Sequence, residues 1–495
     1  MSQPATPTVA ESSNLAVTAA RGVLWTGGGQ VVRQMIQIAG QLALVRLLAP
    51  DDFGLLGMAM FFIGIGQQIA NFGVGSAIVQ ARTDDGVVLS SCFWLNIAAA
   101  GGLALLVLVC APLIGSFYKR PDLTPLVALL SLNLLLSGMQ VMPSSLLYRD
   151  MRFADLARAQ VLGSLGGAVT AIGMAWAGAG VWALAAQPLV GTTINLLACW
   201  WVQRWLPRFE FSWRRVAPLA RFSFALLGAN LVGYGNRNVD NLLVGRVLGA
   251  GPLGLYSMAI QLMLYPLQQV SSVIVRVLFP TLVQIKDDLP RLRAAYVKAV
   301  SMIALVTFPL MTGMFALATD FVDVAFGPKW AGMVPVLRVL TWVGMGQSVG
   351  TTVGSIYLST GNTGRAFRVS LVSTPVVVAG IVGGLPWGIL GVAVGYAIAS
   401  FSLFYFVAMQ AFRLIDLSFT QFHAALARPL LAALGMCIVL IIVVESLQSL
   451  APKMRLGLGV LVGIVVYAAV SFAINRDHLN DLWRILRSTR QRSDG

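Results

Sequence analysis

Two arginines, Arg33 and Arg237, stand inside long apolar stretches of this sequence, each on a stripe of polar side chains. Gln30, Gln34, Gln37 and Gln41 accompany the first, and Asn230, Tyr234 and Asn241 the second. Spacings of three and four residues put each set on one face of a helix. An ionised Arg at the centre of a bilayer costs about 3 kcal/mol on insertion scales, so one kept there should face protein or a water-filled cavity. Planar guanidiniums in such a place grip phosphate oxygens through paired hydrogen bonds, which makes Arg33 and Arg237 candidate anion ligands. Asp240 follows Arg237 by three residues, within reach of a local ion pair. Two readings of it stand side by side: Asp240 neutralises Arg237 and supports the fold, or a phosphate or coupling cation competes for one of the two partners.

Weaker polar stripes recur at Gln67, Gln68 and Asn71, at Gln261, Gln268 and Ser272, and at Gln347, Thr351 and Ser355. Amides and hydroxyls of this kind suit sugar hydroxyls, but bonding between helices is their commoner use. Arg276, near Pro280, either extends the site or snorkels to the membrane interface, and snorkelling is preferred. Arg46 and Arg246 close equivalent helices and suit helix-end carbonyls. Asp52-Phe53-Gly54 spells the kinase metal-binding tripeptide without its accompanying loops, so Pro50, Asp51 and Gly54 are read as a turn. The four cysteines fall in or at the ends of apolar spans, and His423 and His478 lie far apart. No metal site and no cofactor is expected.

The elements that must hold these residues are membrane helices. Hydrophobic residues make up 57% of the 495 and charged residues 11%, with a mean hydropathy of +0.80. That composition excludes a soluble domain. Spans are expected near 22–48, 54–80, 88–117, 123–147, 153–177, 181–203, 218–248, 253–284, 292–319, 332–360, 366–385, 388–412, 425–447 and 456–475. These are about fourteen transmembrane helices. Residues 28–68 echo faintly at 228–268: Gly28/Gly228, Leu42/Leu242, Arg46/Arg246, Gly54/Gly254, Met58/Met258 and Gln68/Gln268 are identical. An all-α polytopic protein follows, with two six-helix lobes related by pseudo-twofold symmetry around a central cavity, plus two C-terminal helices.

The expected divisions are a disordered cytoplasmic tail (1–20, with no cleavable signal peptide), an N-lobe (21–204), a basic cytoplasmic linker (205–217), a C-lobe (218–412), helices 13 and 14 (413–475) and a basic amphipathic cytoplasmic tail (476–495). The net charge of +15 reflects topology rather than nucleic acid, because most of the 34 basic residues fall on one side if both termini are cytoplasmic. Trp205, Phe209, Phe211 and Trp213 either lie at the headgroup level or belong to a plain basic linker. Gly163 and Gly167 signal close helix packing. Every expected outer loop is short, so a membrane-bound polysaccharide polymerase or ligase lacks room for its catalytic groups, although Asp320, Asp323 and Glu445 are outer-face acids. The chain is not read as an enzyme.

Val45-Arg46-Leu47-Leu48-Ala49-Pro50-Asp51-Asp52-Phe53-Gly54 resembles the first helix and turn of bacterial polysaccharide exporters of the multidrug/oligosaccharidyl-lipid/polysaccharide (MOP) superfamily. Asn238-Val239-Asp240-Asn241-Leu242-Leu243-Val244-Gly245-Arg246, Gly254-Leu255-Tyr256 and Leu278-Phe279-Pro280 resemble later segments of the same family, in its colanic-acid and xanthan exporter branch. The resemblance implies a flippase of the bacterial inner membrane that carries undecaprenyl-diphosphate-linked oligosaccharide repeat units from the cytoplasmic to the periplasmic leaflet by alternating access. It also implies membrane lipids and the polymerase and export machinery as partners. A peptidoglycan-precursor flippase and a drug/cation antiporter of the same superfamily are the alternatives. The antiporter is the weaker, since the mid-span charges are three Arg against one Asp.

Overall fold

The computed structural model describes residues 9–70 and 85–474, except for the side chains of 9–24, 70, 215–230, 232, 272, 273, 276, 277 and 363. All regular structure among the described residues is helical, because in hydrocarbon a helix satisfies its own N–H and C=O groups. The order begins α1 (Val9–Leu47), α2 (Pro50–Ala70), α3 (Gly86–Tyr118), α4 (Leu123–Arg149), α5 (Phe153–Trp176), α6 (Val181–Gln203), α7 (Trp213–Leu248) and α8 (Ala250–Gln284). It continues with α9 (Leu289–Ala316), α10 (Ala318–Ala325), α11 (Val334–Gly350), α12 (Val353–Ser359), α13 (Thr363–Gly384), α14 (Gly388–Phe412), α15 (Phe419–Ser446) and α16 (Pro452–Ile474). The all-helical polytopic architecture is the one the hydropathy requires.

Several boundaries differ from expectation. Residues 9–20, expected as a disordered tail, are helical, since α1 begins at Val9. Pro50 opens a helix instead of a turn: it occupies the first helical position, where its missing N–H costs nothing, and the Asp52 carboxylate accepts from the Ala49 N–H at 2.9 Å. The span expected over 332–360 breaks into α11 and α12 at Thr351–Thr352, where the Thr352 hydroxyl bonds the Val349 carbonyl. The C-terminal tail (476–495), Asn71 and His478 lie outside the described residues.

Two compact units divide at Gly254. The first takes in α7, which packs on α2 and α3, rather than ending at the basic linker. Within it α1 lies along α5, α5 along α6, α6 along α4 and α4 along α3, with α2 in the middle. The linker itself docks on the start of α3: the Arg208 and Ser212 N–H groups donate to the Ser90 and Ser91 hydroxyls, and Phe209 stacks on Trp94. In the second unit α9 packs against α11 and α15, α13 against α14, and α15 against α16. Its core is built around Tyr296, Phe412 and Phe422.

The echo between Gly54 and Gly254 has a steric cause. A Cβ on Gly54 would stand 1.8 Å from the Ala250 carbonyl oxygen, and one on Gly254 would stand 1.9 Å from that of Pro50. The first turns of α2 and α8 therefore touch backbone to backbone. We expect Gly54→Ala or Gly254→Ala to cost about 3 kcal/mol through forced separation of these turns. Thermal unfolding in detergent should show it, whereas Gly27→Ala, whose added Cβ meets nothing within 4 Å, should leave the midpoint unchanged or raised.

At the expected outer end, α10 packs on α16 through a buried ion pair. Arg455 Nε donates at 2.8 Å to both oxygens of Asp320, Nη2 reaches Oδ1 as well, and the Asp320 side chain is 2% exposed. Asp320 is thus committed to structure and unavailable as a surface acid. Arg455→Leu should destabilise by about 3–5 kcal/mol because it strands a buried carboxylate, and Asp320→Leu added to it should restore most of the loss.

Arg120 joins α3 and α4 to α2 by donating to Asp122 and Asp51. Hydrogen bonding from Arg120 holds the Asp122 carboxyl below its usual range. Its contribution is present above the unfolded pKa of about 4 and fades as pH falls through the lower folded value. Asp122→Asn should therefore lower stability at neutral pH and flatten the acid limb of a stability–pH curve, with variant and wild type converging once Asp122 is protonated.

Candidate functional site

The contact between α1 and α5 is made by small residues on both sides. A Cβ on Gly29 would stand 2.8 Å from that of Ala157, and one on Gly40 would stand 3.2 Å from that of Ala168. Arg33 and Gln37 lie between these glycines on nearly the same face, so they are aimed at α5 and its partner. The α5–α6 contact is closer still. A Cβ on Gly163 would lie 2.6 Å from the Gly191 carbonyl oxygen, and one on Gly167 would lie 2.5 Å from that of Gln187.

Beside this seam lies a cavity of about 330 Å³ lined by Arg33, Gln37, Gln160, Ser164, Gln187, Thr192 and Asn195 with Gly163, Gly167, Pro188 and Gly191. It is small for a whole ligand headgroup but lined with donors and acceptors. Arg33 supplies the only charge among its described lining residues. One guanidinium nitrogen donates to Gln30 Oε1 at 2.6 Å, while Nε is buried with no hydrogen-bond partner. Among the described residues no carboxylate lines the cavity and none pairs with Arg33. At 1.5 Å per residue, Arg33 sits about 21 Å from the C-terminal end of α1, less than the roughly 30 Å thickness of a hydrocarbon core. An uncompensated cation ringed by amides and hydroxyls at that depth favours an anion that also carries hydroxyl groups.

The other stripe is divided among different tasks. Arg237 is exposed on α7 and is not among the lining residues. No ion pair joins it to Asp240 among the described residues. Asp240 is 9% exposed, and its Oδ1 lies 2.8 Å from the Asn241 N–H. Tyr234 turns towards α2 instead: its hydroxyl donates to the Met60 carbonyl at 3.0 Å, and its ring occupies the space left by Gly64. The Asn241 Oδ1 is buried without a hydrogen-bond partner.

Gln347 Nε2 donates to the Tyr396 hydroxyl at 2.6 Å, a bond between α11 and α14 of the interhelical kind. Gln34 and Gln67 are half-buried and Gln268 is exposed. The side chains of Asn230, Arg276 and Ser272 lie outside the described residues. The residues that sequence reasoning missed are Gln160, Ser164, Gln187, Thr192 and Asn195. Their signal was present: Gln187, Gly191 and Asn195 recur every four residues, and Gln160 and Ser164 flank the glycine of the close contact.

A family model described as polysaccharide biosynthesis protein matches residues 43–335. The chain is 27% identical over 428 residues to the lipopolysaccharide biosynthesis protein WzxC of Escherichia coli (strain K12), covering 84% of this chain and 86% of that one. It is 28% identical over 456 residues to the succinoglycan biosynthesis transport protein ExoT of Rhizobium meliloti (strain 1021), covering 91% and 92%. Against the teichuronic acid biosynthesis protein TuaB of Bacillus subtilis (strain 168) the identity is 29%, over 90% and 93%. Among solved structures, the lipid II flippase MurJ in an inward closed conformation aligns with a TM-score of 0.74 at 14% identity, over 92% of this chain and all of that one. An inward-facing multidrug resistance MATE transporter of the MOP superfamily aligns at 0.58 and 13%, over 78% and 96%. At such identities the solved structures speak for the fold alone. With the family match spanning more than half of the sequence, the chain belongs to the family of polysaccharide biosynthesis proteins.

Proposed function

We propose that this protein is a transporter, a flippase for undecaprenyl-diphosphate-linked oligosaccharide repeat units that moves them from the cytoplasmic to the periplasmic leaflet of the bacterial inner membrane by alternating access. The observation that carries the proposal is the polar cavity around Arg33, which offers one uncompensated cation and a ring of amides and hydroxyls without a carboxylate. A diphosphate needs the first and a glycan the second. A cationic drug would need the opposite charge. In this reading the lipid tail stays in the bilayer. Arg237, exposed on α7 about 16 Å from the end of its helix, is the second diphosphate ligand.

Outward movement of an anionic headgroup is favoured by about 2.3 kcal/mol per charge per 100 mV in a cell with a negative interior. Asp240, buried beside this stripe, is the position for any coupled cation. Both termini are cytoplasmic in the proposal, since that places most basic residues inside.

The test is translocation of a lipid-linked repeat unit in vesicles carrying properly inserted protein. Losing a charge-assisted hydrogen-bond pair costs about 1.5–3 kcal/mol, so Arg33→Gln and Arg237→Gln should each lower transport by about 10- to 100-fold. Lys at either position should recover part of the loss, because it keeps the charge but not the fork. Full transport by all four variants would remove the phosphate role from both residues.

A further inference from the structure

The α13–α14 hairpin of the second unit carries two adjoining depressions of opposite character. At the end where α13 begins and α14 finishes, a pocket of about 530 Å³ is lined by Arg365, Arg368 and Arg413, with Gln410 and the apolar Val369, Val372 and Phe406. All three arginines are exposed, and none of their guanidinium groups has a hydrogen bond or ion pair among the described residues. Three uncompensated guanidiniums around one concavity repel each other unless an anion lies between them. Two of them stand in the first turns of α13, where the helix dipole disfavours cations and the free N–H groups favour an anion.

One helical turn farther along both helices, a groove of about 670 Å³ begins. It runs from Val376 and Ser402 to Trp387 and is otherwise walled by Val, Leu, Ile, Ala and Gly. The groove exists because the two helices meet backbone to backbone at four glycines: a Cβ on Gly380, Gly384, Gly391 or Gly395 would lie within 2.5 Å of a carbonyl oxygen across the seam. The helix surface beside that seam is correspondingly shallow. From Arg368 to Gly384 the helix rises about 24 Å, more than one leaflet of a core about 30 Å thick.

From this continuity of a three-arginine pocket with an apolar groove on the same helix pair, we infer that the hairpin is a binding site for an anionic phospholipid of the bilayer. The phosphate of the headgroup sits among Arg365, Arg368 and Arg413, and an acyl chain lies along the groove. Charge complementarity selects the headgroup, and basic pockets between membrane helices hold phosphate headgroups by the same chemistry. A positive-inside signal needs only the charges, whereas this arrangement also provides a concavity and a path for the chain.

Native mass spectrometry of the full protein tests the inference, with the protein released from micelles containing equal phosphatidylglycerol and phosphatidylcholine. The wild type should retain phosphatidylglycerol at least fivefold over phosphatidylcholine, and Arg365→Gln/Arg368→Gln/Arg413→Gln should abolish that preference. Arg291→Gln/Lys286→Gln, which removes two exposed charges elsewhere, should keep it. Gly383→Leu is the second variant: an added Cβ there meets nothing within 4 Å, so it fills the groove without a backbone clash and leaves the arginines in place. It should cut phosphatidylglycerol retention several-fold, with the unfolding midpoint unchanged.

Equal phosphatidylglycerol retention by the wild type and the triple variant would overturn the site. So would retention unaffected by Gly383→Leu. Displacement of the lipid by millimolar inorganic phosphate would identify the ligand as free phosphate and overturn the assignment to a lipid. A polyprenyl phosphate that outcompetes phosphatidylglycerol tenfold would do the same for the assignment to a phospholipid.

Discussion

Helices inside a bilayer gain no hydrophobic energy from meeting each other, so they must come close enough for dispersion and weak polar contacts to hold them. That closeness is available only where a side chain is missing from the contact. Gly54 and Gly254 let the first turns of α2 and α8 touch reciprocally, Gly163, Gly167 and Gly191 do so for α5 and α6, and Gly380, Gly384, Gly391 and Gly395 for α13 and α14. Each contact fixes a pair of helices without help from water, and the larger side chains are displaced to its flanks.

The same constraint shapes the sites. On the α5–α6 seam the flanking residues are Gln160, Ser164, Gln187, Thr192 and Asn195, and α1 presents Arg33 and Gln37 to them, so the space beside the glycines is polar. On the α13–α14 seam the flanking residues are Val, Leu and Ile, and the space is apolar until the arginines at one end. One packing device thus yields a polar cavity in the first unit and a greasy groove in the second. The composition of the flanks, not the geometry of the contact, separates a proposed pathway for a charged glycan from a proposed berth for a lipid chain. Charge is handled in two ways as well. Asp320 and Arg455 are buried as a bonded pair, whereas Arg33 has no carboxylate partner among the described residues, an arrangement that supports the proposed role in holding an anion.

Much of this was legible in the sequence. The apolar runs predicted the helices because their length is fixed by the hydrocarbon thickness. The echo of Gly54 at Gly254 marks a repeat, and only the structure brings the two residues together reciprocally. The polar spacing around Arg33 marks one helix face, whereas Gln160, Ser164, Gln187, Thr192 and Asn195 on α5 and α6 stand beside Gly163 and Gly167, glycines whose spacing by itself signals only close packing. Tyr234 shows the opposite limit. On its own helix it shares a stripe with Arg237, but a gap at Gly64 on α2 draws its hydroxyl to the Met60 carbonyl.

What the sequence determined by itself is local: which segments are apolar enough to be membrane helices, which face of each is polar, and where a missing side chain permits close approach. These follow from periodicity and transfer energy, which need no knowledge of neighbours. Only the tertiary structure decided that Arg33 faces amides while Arg237 stands exposed, that Asp320 is held by Arg455, and that Arg365, Arg368 and Arg413 converge. Each of those outcomes depends on a second helix distant in sequence, and its position is set by the sum of many small packing contacts that no single segment encodes.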